Sequence, residues 1–80
     1  MPESRAKALL DEIRKGIEVG KFCLNSGDVQ SAQFAMRRAE CACVELEALL
    51  SRADLGSGLY GNLLHLLRLE LRLLGNRIPS

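Results

Sequence analysis

Turn-forming residues cluster at only two places in this chain, Asn25-Ser26-Gly27-Asp28 and the stretch from Asp54 to Gly58 that contains Gly56-Ser57-Gly58. Such clusters mark where regular elements end, so the chain divides into three long segments with little else to interrupt them. In the first, Ala6, Leu10, Ile13, Ile17, Gly20 and Leu24 follow spacings of 4, 3, 4, 3 and 4, which aligns them on one helical face. Lys7 with Asp11 and Arg14 with Glu18 stand four apart on the solvated side, and Pro2 is tolerated in a first turn that has no acceptor for its missing N–H. In the second segment Val29, Ala32, Met36, Ala39, Cys43, Leu46 and Leu50 keep an unbroken 3, 4, 3, 4, 3, 4 seam. Asp28 before it is a predicted N-cap, and Ala32, Ala35, Ala39 and Ala42 keep this helix thin, so that a neighbour can approach closely.

The third segment runs from a predicted N-cap at Ser57 to Leu74, with Gly75 suited to a left-handed C′ position. Together these signals predict an all-α fold: an antiparallel three-helix up-down-up bundle over about 5–24, 29–52 and 58–74, forming one domain across 1–80. Eighty residues leave no room for a second domain, and a core of this size offsets the entropy of ordering the chain only narrowly. The bundle is therefore expected to be completed by a partner chain.

The third segment says where. Its polar positions Gly61, His65, Arg68 and Arg72 repeat at 4, 3 and 4, and nearly everything else is leucine: of sixteen leucines in the chain, eight lie between Leu63 and Leu74. Leu59, Leu63, Leu66 and Leu73 make one apolar stripe; Tyr60, Leu64, Leu67, Leu71 and Leu74 make another. One stripe suffices to meet the other two helices, and an exposed apolar patch as wide as the second is rare on a monomer. Leu63, Leu64, Leu67, Leu71 and Leu74 are expected to contact the partner, with Tyr60 at the rim.

Other chemistry finds little support. Eleven Lys and Arg against ten Asp and Glu, with no basic run longer than Arg37-Arg38, argue against nucleic acid. The leucine-rich stretch is too short and too charged to span a bilayer. Cys41 and Cys43 lie two apart on a helix, which turns their side chains about 200° from each other, so they cannot share a metal ion. His65 has no nucleophile or carboxylate at a spacing that would organise a triad, and Gly56-Ser57-Gly58 has neither the lysine nor the strand of a phosphate loop. Gly16 and Gly20 read as a close-packing site between the first two helices. No enzyme, cofactor, metal or small-molecule substrate is expected. Three cysteines that cannot all pair, behind an N-terminus MPESRAK with no apolar stretch, predict a reducing, cytoplasmic setting.

The order of these residues resembles the flagellar secretion chaperones of the FliS type. Leu9-Leu10-Asp11 is similar to the family's Leu-Tyr-Asp, and Gly27-Asp28 to its Gly-Asp turn. Val29, Ala32, Ala39, Glu45-Leu46 and Leu50 match its next helix, and Gly58, Asn62-Leu63 and Leu66 its Gly-x-x-x-Asn-Leu-x-x-Leu entry into the third. Leu67-Arg68-Leu69 stands where the family commonly has Tyr-Asp-Tyr, and family members run longer at both ends, so the resemblance is to a diverged or shortened member. It implies a bacterial, cytoplasmic chaperone of type III export that covers an amphipathic helix of flagellin or a related client. A homodimeric helical-bundle adaptor, its third helices paired and without a flagellin client, is the alternative. A tetratricopeptide-like fragment is disfavoured, since no repeat of about 34 residues is present.

Overall fold

The computed structural model describes residues 2–52 and 58–78. Three helices make up the fold: α1 (Pro2–Asn25), α2 (Val29–Arg52) and α3 (Leu59–Gly75). Helices of 24 residues are about 36 Å long at 1.5 Å per residue, which accounts for a molecule of 40 × 19 × 16 Å.

The turn between α1 and α2 closes through backbone geometry alone. Asp28 N–H donates to Cys23 C=O at 2.8 Å and Gly27 N–H to Leu24 C=O at 3.1 Å, the paired bonds of a Schellman cap. Gly27 sits at φ 83°, where a side chain would be strained. One residue later the Asp28 carboxylate accepts the Ser31 backbone N–H at 3.1 Å, so the predicted N-cap of α2 is formed.

Contacts fix the directions of the helices. Arg5 pairs with Glu45, and Gly16 packs against Ala35 and Ala39, so α1 and α2 are antiparallel. Arg68 pairs with Glu47 while Gly75 reaches Met36, so α3 is antiparallel to α2. Leu74 over Gly20 sets α3 parallel to α1, giving an all-α, up-down-up three-helix bundle.

The predicted seams are the buried ones. Ala6, Leu10, Ile13 and Ile17 are buried on α1, joined by Leu9, and Leu24 is half-buried at the end. On α2 the seam from Ala32 to Leu50 is buried, and Ala35 and Ala42 widen it because α2 lies against both other helices. The core is aliphatic: no Phe belongs to it, and alanines on α2 bring the backbones close. A Cβ on Gly16 would stand 2.8 Å from Ala39 Cβ, and one on Gly20 would stand 2.9 Å from Leu74 Cδ2. The G-x-x-x-G therefore seats α2 at its first glycine and α3 at its second.

Helix ends differ from expectation in three ways. α1 begins at Pro2, earlier than residue 5, as an N-terminal proline allows. The predicted cap Ser57 lies outside the described residues; α3 starts at Leu59 with Gly58 in the N-cap position, which offers no side-chain acceptor. Gly75 does not adopt the left-handed conformation. It is the last residue of α3, followed by Asn76 at φ −68°. A Cβ on Gly75 would lie 3.3 Å from Met36 Cε, so its small size makes room for that side chain. Arg77 then donates to Asn25 Oδ1 at 3.1 Å, tying the residues after α3 to the end of α1.

Candidate functional site

Of the two leucine stripes on α3, the fold buries Leu64, Leu67, Leu71 and Leu74, and Tyr60 and Leu63 pack half-buried against the same core. These are the six residues expected at the partner contact: Leu64, Leu67, Leu71 and Leu74 are taken up by the core of the chain itself, whereas Tyr60 and Leu63 keep part of their surface in solvent. From the other stripe Leu59, Leu66 and Leu73 stand in solvent, 67%, 57% and 66% exposed, joined by Leu69 at 42%, a residue assigned to neither stripe. Glu70 supplies the physical reason. At 100° per residue it falls between Leu59 and Leu63 around the helix, so turning this stripe inward would bury a carboxylate without a partner.

A second apolar surface lies between α1 and α2. Gly16 and Ala35 form the floor of a groove of about 540 Å³, Val19 and Phe34 stand as its walls, and Glu12, Lys15, Gln30, Ser31 and Arg38 complete its lining. No residue of α3 contributes, because α3 packs on the other side of the hairpin. Phe34 also borders an adjoining depression of about 350 Å³ with Arg37, Arg38, Cys41, Ala42 and Glu45. The depth of the groove follows from sequence: Gly16 and the α2 alanines draw the helices together, so larger neighbours rise on either side.

Phe34 is 64% exposed and Phe22 on α1 71%, so two of three aromatic residues in the chain stand in water. Single exposed apolar residues such as Phe22 are ordinary; an exposed aromatic that lines a groove, as Phe34 does, is the kind of anchor from which binding surfaces are built. The signal was present in the sequence, since Phe34 falls off the heptad seam of α2 and has no place in its core.

The charges around the groove lean basic. Lys15, Arg37 and Arg38 border it, against Glu12 and a Glu45 already paired with Arg5. Cys41 is exposed beside it and Cys43 is buried, as the 200° between them requires. Burial pushes the Cys43 thiol above its ordinary value, although Arg68 opposes the shift. His65 is exposed on α3. Among the described residues no three His, Cys, Asp or Glu side chains converge on a point that could hold a metal ion. No helix among them is long and apolar enough to cross a membrane.

No family model matches the chain, and neither a curated protein nor a solved structure matches it. What the site offers is apolar contact in a groove bordered by more cationic than acidic side chains.

Proposed function

We propose that the protein is a non-enzymatic binding module of the export-chaperone kind, working in the cytoplasm. It holds an amphipathic helical segment of a flagellin or related type III secretion client in the α1–α2 groove. The observation that carries this reading is Phe34, largely exposed at the border of two adjoining depressions that it shares with Val19, Ala35 and Ala42 and with Lys15, Arg37 and Arg38, Glu12 and Glu45 being the acidic members of the lining. A client helix laid along the hairpin would cover Phe34 and Val19 with its own apolar face, and acidic residues at its edge would meet Lys15, Arg37 and Arg38. The sequence resemblance supports the choice of client class.

Titration calorimetry with a peptide from the C-terminal helix of flagellin tests it. Binding is expected, and Phe34→Ser should weaken it about 30-fold, the equivalent of about 2 kcal/mol for an aromatic anchor. Absence of heat at high micromolar peptide removes flagellin as the client.

A further inference from the structure

The leucines along the outer side of α3 follow a pattern that packing among the described residues does not account for. Measured from Leu66, they stand at −7 (Leu59), −3 (Leu63), 0, +3 (Leu69) and +7 (Leu73). The row reads the same in both directions. Leu63 is half-buried at its inner edge and the other four are exposed, over a length of about 21 Å.

A palindromic row can also match itself leucine for leucine when two copies run in opposite directions about a two-fold axis. At that axis Leu66 meets Leu66 of the second copy, Leu59 comes level with its Leu73, and Leu63 with its Leu69. The polar members obey the same symmetry: Asn62 at −4 and Glu70 at +4 come level with each other, so no two carboxylates share a level. A parallel, in-register pair would instead set Glu70 level with its own copy. Antiparallel helices also oppose their dipoles, and a formal charge of +1 per chain puts little repulsion between two copies.

We infer that a second copy of this chain covers the exposed face of α3, in an antiparallel pairing centred on Leu66. This surface is separate from the α1–α2 groove, and the pairing holds whether or not the groove takes a client.

The test is sedimentation equilibrium over a wide dilution series, with no client present. The wild-type chain is expected to pass from monomer to dimer. Because Leu66 faces its own copy, Leu66→Glu and Leu66→Arg each bring like charges together and should raise the dissociation constant about 100-fold or more. An equimolar mixture of the two variants should form the heterodimer, read by native mass spectrometry. Leu66 is 57% exposed, and unchanged circular dichroism of each variant shows that its fold is intact. A wild-type chain that stays monomeric overturns the inference and leaves the stripe to a partner of another sequence. A Leu66→Glu variant that still dimerises, or a mixture that stays monomeric, also overturns it.

Discussion

Gly16 and Ala39 meet with no space for one more methyl: a Cβ on Gly16 would fall 2.8 Å from Ala39 Cβ and 3.0 Å from the Ala35 carbonyl oxygen. Neither neighbour is the flexible end of a side chain, so relief requires α1 and α2 to separate. Gly16→Ala gains about 1 kcal/mol of helix propensity, yet overpacking at a rigid contact costs about 1–3 kcal/mol. A net loss of about 1 kcal/mol is expected in urea unfolding, and a stabilised variant would show that the hairpin gives at this point.

The division of α3 into a buried and an exposed side has a direct measurement. Leu67→Ala removes a buried side chain and should cost about 2–5 kcal/mol, a large share of the stability of a domain this small. Leu66→Ala, one residue along the same helix, should change the stability of the dilute protein by no more than about 0.5 kcal/mol. Equal effects from the two would place both stripes inside.

Asp28 serves two helices at once, its backbone N–H closing α1 and its carboxylate opening α2. Hydrogen bonds from the Ser31 side chain and backbone N–H hold the carboxyl below its ordinary value. A lowered value in the folded state means that the cap's contribution is present above the ordinary carboxyl range and disappears as pH falls through the folded value. Asp28→Ala should lower the melting temperature by about 5 °C at neutral pH, the scale of a lost cap in a domain this size. Asp28→Asn should keep that temperature while removing this group's share of the acid-side decline.

The three thiols should react in order of exposure. Cys41 is open to solvent, Cys23 is half-buried, and Cys43 is buried with a raised pKa that keeps it protonated. Alkylation at neutral pH, mapped by mass spectrometry, is expected to modify Cys41 first and Cys43 last. Modification of Cys43 alongside Cys41 in the native protein would mean that α3 lifts away from α2.

Local periodicity carried most of the fold. The 3, 4, 3, 4 seam of α2 begins at Val29, as the helix does, because the Gly27-Asp28 turn and the seam report the same boundary. The inward face of α3 was harder to read, since two stripes of similar apolarity sit on one helix. Glu70 held the missing information, as a single charge inside an apolar row. Gly75 misled for a related reason: a glycine after a helical run suggests a left-handed cap, but here the small residue answers to Met36 on another helix. The groove depends on distant residues, Gly16 with Ala35 and Phe34, and their juxtaposition arises only when the hairpin closes.

An aliphatic core also decides how this molecule can be watched. With no tryptophan and a single tyrosine, its intrinsic fluorescence comes almost wholly from Tyr60, half-buried on α3. Ultraviolet emission therefore follows one helix, whereas circular dichroism follows all three. If the two signals unfold at one midpoint, α3 departs with the hairpin; an earlier change in emission would measure the free energy that holds α3 in place.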